Sequence, residues 1–392
     1  MPEVERCDVL CVAGARPNFP KVGPVLRALA ATELVGTLVH TGQHYDDAMS
    51  RVFFEQLGLP EPSENLDVGG GSHADVTGRI MQRFEPVLEA TRPKVVLVVG
   101  DVNSTAACAL AASKFHREPF AAFGQTRTRP LVAHVEAGLR SGDRDMPEEI
   151  NRIVTDAISD VLLVSDPAGL EHLRREGQPD EKLCYVGNVM IDTLLQTRRL
   201  ADASDVLDRH DLNGRRYALV TLHRPSNVDD PAQLRDVIDT IDAAAKKHDL
   251  GIVFPAHPRT TRRLAAAGIE LSGRWLTLPP AGYLDFVKLM SAATLILSDS
   301  GGIQEEATVL GVRCVTLREQ TERPCTLTDG TNVLGGSRPK TIAPAVERAM
   351  ALDPEGRRPR YWDGRSGERV AAALVAALAG DPMQAAADKV EA

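Results

Sequence analysis

Short, β-branched apolar runs, each feeding an amphipathic stretch, recur along the first half of the chain and then begin again in the second. Asp8–Ala13, Leu34–His40, Lys94–Gly100, Leu131–Val135 and Val161–Val164 form the first series. Each is too short for a helix and lacks the polar alternation of a half-exposed strand, so it reads as a strand covered on both faces. A helix-like segment such as Pro20–Ala31 follows most of them, which is the signature of βαβ units. After a helical, polar stretch from Asp192 to Arg216 the series restarts with Tyr217–Leu222, Gly251–Pro255, Trp275–Leu278, Leu295–Leu297 and Arg313–Thr316. The pattern predicts an α/β protein with two Rossmann-like, doubly wound parallel-sheet domains facing a cleft. In such sheets ligands sit beyond the carboxyl ends of the strands, so those ends are where functional residues are sought.

The length supports two cores: 392 residues exceed what one ordinary core holds. The boundaries expected are residues 1–200 for an N-terminal domain carrying acid/base groups and 201–365 for a C-terminal, nucleotide-binding domain, with a hinge near 195–215. Residues 366–380 are expected as a helix packing back on the N-terminal domain, and 381–392 as a frayed tail with nothing to bury. The net charge of -9 argues against nucleic acid as a partner, so an anionic ligand must be met by local cations. Met1–Asp8 carries three acids and does not resemble a signal peptide, and no apolar run approaches a membrane span. The six cysteines include no C-x-x-C pair and read as buried thiols of a reducing cytoplasm.

One segment breaks the pattern. Phe115–Pro130 is long and basic for a helix-to-strand connection. It is expected as an inserted surface loop without a catalytic role, with a lid or an oligomer contact as the alternative.

The strand ends carry the chemistry. Ser300-Gly301-Gly302 follows an apolar strand and opens a helix, whose free N–H groups and positive dipole end suit a phosphate. An ordinary strand-to-helix turn is the other reading of those residues. Glu305 and Glu306, expected in the first turn, favour the ligand site, where one of them would accept hydrogen bonds from ribose hydroxyls. Arg16 and Lys21 bracket the turn after the first strand and can meet a diphosphate. Asp101 stands at a strand end, Glu136 closes a buried strand where an acid is costly without a purpose, and Glu148 and Glu149 open a helix behind Pro147. Capping, dipole or ion-pair roles would explain each acid singly. Together they put several carboxylates at the same end of one sheet, which packing does not require. His223 and His257 end successive strands of the second half, and Arg323 lies beyond a later one. Two other patterns are set aside. Gly69–Ala74 fits a relaxed dinucleotide fingerprint but follows no strand. His40 and His44 lack a third ligand at metal-site spacing, so no metal and no cofactor are expected.

With these residues in hand, the chain resembles the non-hydrolysing UDP-N-acetylglucosamine 2-epimerases from about Val9 to Val375. The motifs occur in order: GARPNFPK (Gly14–Lys21), TGQH (Thr41–His44), GDVNST (Gly100–Thr105), HVEAGLRSGDRDMPEEINR (His134–Arg152), GNVMIDTL (Gly187–Leu194), LHRPSN (Leu222–Asn227), SDSGGIQEEA (Ser298–Ala307) and TERP (Thr321–Pro324). The resemblance implies a glycosyltransferase-B-like domain pair, usually a homodimer, that inverts C2 of UDP-GlcNAc to give UDP-ManNAc, with UDP-sugars modified at C3 or C6 and hydrolysis off UDP as the alternatives among relatives. It implies acid/base roles for Asp101, Glu136, Glu148 and His223. It matches Arg16, Lys21, Ser300, Gly301, Gly302 and Glu306 to substrate contacts, and Gln43 and His44 to a region where some members bind a second, activating UDP-GlcNAc. The chemistry agrees. A C2 proton of a hexose is not acidic, so inversion there needs transient oxidation or loss of the C1 leaving group, and no convincing nicotinamide site is present. Ala15 and Asn18 replace the Thr and Glu usual in the first motif, and Phe115–Pro130 is longer than usual; both leave the sugar open. A glycosyltransferase on the same fold and a catalytically silent UDP-sugar sensor are the competing functions; several acids argue against both.

Overall fold

The computed structural model describes residues 7–43 and 60–391, which divide into two compact units. One holds the described residues up to Thr193 and again from Tyr361; the other is Leu194–Arg360. The chain leaves the first unit inside the helix Val189–Ala201 and rejoins it at Tyr361, whose ring packs on Tyr185 at 5.1 Å.

The first unit is built on a seven-stranded sheet. Its strands are β1 (Val9–Ala13), β2 (Gly36–His40), β3 (Glu64–Asn65), β4 (Val95–Val99), β7 (Leu131–Ala137), β8 (Val161–Val164) and β9 (Leu183–Tyr185); a separate antiparallel hairpin holds β5 (Phe120–Ala122) and β6 (Gln125–Arg127). The sheet order is β3-β2-β1-β4-β7-β8-β9, and every pairing in it is parallel. Winding runs outward from β1 in one direction and from β4 in the other, so the switch point lies between them. Successive residues of a strand face opposite sides. Val9, Cys11 and Ala13 therefore join Val95, Leu97 and Val99 in a core under the helices Phe19–Leu29 and Ser366–Ala379. Leu10, Val12, Val96 and Val98 join the opposite core, under the helices His73–Thr91 and Asn103–Lys114. Coverage on both faces is why these strands are apolar without alternation.

Residues 115–130 do not form an irregular surface loop throughout. They contain the β5–β6 hairpin, which turns at Phe123 and Gly124, both at positive φ. Phe120 and Phe123 pack on the core, and the Phe123 amide donates to Ala377 O at 2.7 Å. The segment enters β7 at its amino-terminal end, the opposite end from Glu136. The C-terminal residues also depart from expectation. Met383–Asp388 is a helix with Met383 and Ala387 buried, and Gln384 accepts a 2.7 Å hydrogen bond from the Tyr185 amide. The tail caps the edge strand β9, so it has something to bury after all.

The second unit carries β10 (Tyr217–Thr221), β11 (Gly251–Pro255), β12 (Trp275–Leu278), β13 (Leu295–Ser298), β14 (Arg313–Thr316) and β15 (Asn332–Leu334). Their order is β12-β11-β10-β13-β14-β15, again all parallel, with the switch point between β10 and β13. Both units are thus Rossmann-like. None of the helices described is long and apolar enough to cross a membrane.

Candidate functional site

In the first unit the carboxyl ends of β1, β4 and β7 bring together most of the predicted groups. Asn18, fully buried, organises the turn after β1: its Oδ1 accepts from the amides of Gly14 and Ala15 at 3.0 and 2.9 Å. Its Nδ2 donates to Val99 O at 3.3 Å, tying that turn to the end of β4. One helical turn later Lys21 meets Glu136 at 2.5 Å, with both side chains largely buried. Between them lies Gly100, at φ 67; a Cβ there would stand 3.0 Å from Lys21 Nζ and 3.6 Å from Glu136 Oε2. Glycine supplies both the backbone angle and the room.

Glu136 sits where β7 shifts register against β8, between Val135 and Ala137, and its φ is 72. A non-glycine residue pays about 1–2 kcal/mol for the left-handed region. The bulge turns an acid that strand alternation would bury in the sheet toward the sheet's end, and strain held at one residue is a mark of a functional position.

Asp101, after β4, is gripped by Arg152: Nη2 lies at 2.5 Å and Nε at 3.0 Å. Arg152 comes from the helix Pro147–Ile158 and is itself held by Glu149 at 2.9 Å. Glu149 also accepts from the amides of Ser141 and Gly142, at 2.9 and 3.0 Å. Burial works to raise the Glu149 carboxyl pKa, but those amides and Arg152 outweigh it and hold it below its ordinary value. Glu148, the predicted acid, is exposed on the same first turn; its neighbour Glu149 is the buried one. Behind them His134, on β7, places Nδ1 2.6 Å from Asp156 and Nε2 2.8 Å from Gly100 O. Asp156 is desolvated, yet His134 and Arg140 hold it ionised, with its carboxyl below the ordinary range.

Arg16 lies in the 3-10 turn Arg16–Asn18, at the same strand end as Lys21; only its backbone is described. Gln43 Oε1 accepts from the Ser104 amide at 3.2 Å and from its hydroxyl at 2.8 Å, serving the amino end of the helix Asn103–Lys114. His44 lies outside the described residues. His40 is buried against the Phe19 ring at 5.1 Å, and no group of three metal-ligating side chains is found among the described residues.

The second unit assembles its groups at the ends of β10, β11, β13 and β14. Ser300 is the N-cap residue of the helix Gly301–Leu310, yet its hydroxyl makes no capping bond. Its amide donates to Ser298 Oγ at 3.0 Å, and Ser298 Oγ lies 2.7 Å from Thr221 Oγ1. Above Gly301 stand two guanidinium groups: a Cβ there would lie 3.4 Å from Arg323 Nη1 and 3.9 Å from Arg318 Nη1. The helix dipole and two guanidinium groups thus meet at the amino end, with buried Glu322 paired to both, 3.3 Å from Arg318 and 2.9 Å from Arg323. Glu305 and Glu306 are not in the first turn, as expected from sequence. Two glycines, Ile303 and Gln304 precede them, so they fall in the second turn and are buried. Glu305 pairs with Arg323 at 2.8 Å. Glu306 takes a hydrogen bond from the Tyr283 hydroxyl at 3.0 Å, and its carboxyl is pushed up to about 7 by burial, with Glu305 adding to the rise and Tyr283 opposing it.

His223 stands 2.9 Å from Asp299 through Nδ1, and its ring centroid is 6.3 Å from that of His257. His257 is the N-cap residue of the helix Pro258–Ala266. Asp299, Arg318, Tyr283 and the Glu149–Arg152 pair were not singled out from sequence. Asp299 closes an apolar strand as Glu136 does, and that signal could have found it.

A family model described as UDP-N-acetylglucosamine 2-epimerase matches residues 27–375. The UDP-N-acetylglucosamine 2-epimerase of Methanococcus maripaludis is 40% identical over 364 residues, covering 91% of this chain and 95% of its own. The UDP-2,3-diacetamido-2,3-dideoxy-D-glucuronate 2-epimerase of Pseudomonas aeruginosa is 38% identical over 366 residues, 93% of this chain and 98% of its own. A crystal structure of the Methanocaldococcus jannaschii UDP-GlcNAc 2-epimerase in complex with UDP-GlcNAc and UDP superposes with a TM-score of 0.78 at 38% identity, covering 94% of this chain and 99% of that one. With a family model over most of its length and such relatives along nearly all of it, this chain belongs to the UDP-N-acetylglucosamine 2-epimerase family.

Proposed function

We propose that the protein interconverts UDP-GlcNAc and UDP-ManNAc without hydrolysis, by anti elimination of UDP and its re-addition. The observation that carries the reading is the amino end of the helix Gly301–Leu310, where a free Ser300 hydroxyl and the Arg318 and Arg323 guanidinium groups converge. A helix dipole with such cations stabilises a departing diphosphate, the dipole alone by up to about 2 kcal/mol. In the forward step a base takes the C2 proton, the C1=C2 bond forms, and the C1–O bond breaks with its electron pair leaving on UDP. The 2-acetamidoglucal so formed accepts a proton at C2 on the opposite face as the UDP oxygen re-adds to C1. Asp101, Glu136, Glu148 and His223 are the proton carriers of this reading. Lys21, Arg16, His257, Ser300, Gly301, Gly302 and Arg323 meet the diphosphate, and Glu306 the ribose. No nicotinamide is required, because nothing is oxidised.

Incubation with UDP-GlcNAc in deuterated water is expected to yield UDP-ManNAc with deuterium at C2 by NMR. Epimerisation without solvent exchange refutes the elimination. A second reading, inversion at C2 of a UDP-sugar modified at C3 and C6, is favoured by the 38% identity to the P. aeruginosa epimerase. A panel of UDP-sugars ranked by kcat/KM decides between them. The six buried free cysteines fit a reducing cytoplasm. A homodimer is the assembly proposed, and sedimentation at micromolar concentration tests it.

A further inference from the structure

We propose that Asp299 is a positioning residue that fixes the neutral His223 ring as its Nδ1–H tautomer and so leaves the Nε2 lone pair as the proton acceptor. The backbone of Arg259 fixes the neighbouring His257 in the opposite tautomer, as a donor. The inference rests on the reading of His223 as a proton carrier and says which of its two nitrogens acts.

Asp299 is wholly buried and its carboxylate gathers donors from one loop. The amides of His223 and Arg224 donate to it at 3.0 and 2.8 Å, and Asn227 Nδ2 at 3.2 Å. The remaining neighbour is His223 Nδ1 at 2.9 Å. Burial would raise the carboxyl pKa, but His223 and the two amides outweigh it and hold it below the ordinary value. An ionised carboxylate only accepts, so the hydrogen in that contact belongs to Nδ1. Backbone and ring are clamped by the same two oxygens, which fixes the orientation of the imidazole as well as its tautomer. The His223 side chain is 43% exposed, so the far side of the ring is open to a ligand. His257 shows the reverse arrangement. Its Nδ1 accepts from the Arg259 amide at 3.1 Å, which puts the lone pair on Nδ1 and the ring hydrogen on Nε2. Two histidines at neighbouring strand ends, their centroids 6.3 Å apart, therefore present one acceptor and one donor. An acceptor suits removal of a sugar proton, and a donor suits an oxyanion.

The test is a long-range 1H–15N correlation spectrum of the 15N-histidine-labelled full chain, at a pH where the rings are neutral. His223→Asn and His257→Asn assign the two rings among the ten histidines. His223 is expected with Nδ1 protonated and Nε2 bare, and His257 the other way round. A His223 ring protonated at Nε2, or exchanging between both forms, overturns the proposal; His257 in the same tautomer as His223 overturns its second half. Asp299→Asn is expected to lower kcat at least about 100-fold with KM changed less than about threefold, the low end of what a positioned proton carrier contributes. A kcat within about threefold of wild type also overturns it. The wild-type spectrum needs no variant at Asp299, so a misfolded Asp299→Asn leaves the proposal testable. Absence of turnover on any UDP-sugar would defeat the function proposed above while leaving the tautomers intact. Turnover with His223 protonated at Nε2 would do the reverse.

Discussion

The return of the chain to its first unit depends on one buried carboxylate, and its cost is readable against pH. Asp192 accepts from the amides of Ser366 and Gly367 at 3.1 and 2.7 Å, anchoring the first turn of the helix Ser366–Ala379. Burial pushes its carboxyl up from 3.8 to about 6, against the pull of those amides. The folded state thus resists ionisation more than the unfolded chain does. The stability Asp192 contributes is full below pH 3.8 and is lost as pH rises through about 6, a loss of roughly 3 kcal/mol at 1.36 kcal/mol per unit. Asp192→Asn cannot ionise, so it removes the slope and adds only a pH-independent offset. Other carboxylates tilt the wild-type curve the opposite way but cancel in the difference. A Trp275→Phe background leaves Trp362, buried in the first unit with Nε1 on Ser165 O, as the sole indole reporter. In urea titrations followed by its fluorescence, wild-type stability minus that of Asp192→Asn should fall by about 2 kcal/mol between pH 4.5 and 8. A flat difference, or one that rises with pH, refutes the reasoning.

Glu149→Gln puts an amide N–H against Arg152 and loosens its grip on Asp101; kcat should fall at least about tenfold with KM nearly constant, by the logic of a lost orienting contact. Steady-state kinetics with an unchanged kcat would leave Glu149 a purely structural residue. Tyr283→Phe removes the hydrogen bond that favours ionised Glu306, so its carboxyl should rise above about 7. Calorimetric UDP affinity measured from pH 6 to 9 should then show its midpoint shifted to higher pH, and no shift would refute a carboxylate role for Glu306. Arg318 Nη1 is buried without a hydrogen-bond partner among the described residues, and burial and Arg224 depress the guanidinium pKa. Arg318→Met removes that donor but also the 3.3 Å pair with buried Glu322, so it should weaken UDP binding at least about tenfold by calorimetry. An affinity within about threefold of wild type would count against an anion-binding role for Arg318.

The long strands were legible because both faces of each sheet are covered, which writes β1, β4, β7, β10 and β13 as unbroken apolar runs. The strands that escaped notice are edge or hairpin pieces of two or three residues: β3, β5, β6, β9 and β15. A run that short carries no periodicity, and its stability comes from a neighbour rather than from its own sequence. The tail fails for the same reason: Met383 and Ala387 find burial only against distant partners, the helix Ser366–Ala379 and β9. At the site, the strand-end rule located Lys21, Asp101, Glu136, His223 and Ser300 at the ends of their sheets. It could not see the groups that arrive from a helix flank, such as Arg152, or from the first turn of another helix, such as Tyr283. It also misplaced Glu305 and Glu306 by a turn: with Ser300 as the cap they are the fifth and sixth helical residues, past the first turn.

The partners of the acids explain how such a site stays poised. In the first unit Asp101 and Glu136 each come with a cation, Arg152 and Lys21, at 2.5 Å. Lys21 and Glu136 are both largely buried, so removing either would cost several kcal/mol, because the other would remain as an uncompensated charge. The second unit is built the other way. The Ser300 hydroxyl makes no capping bond, and Arg318 keeps a buried N–H without a partner among the described residues. An anion would complete what the fold there leaves open, since a buried donor without a partner gains more from a new hydrogen bond than one already satisfied.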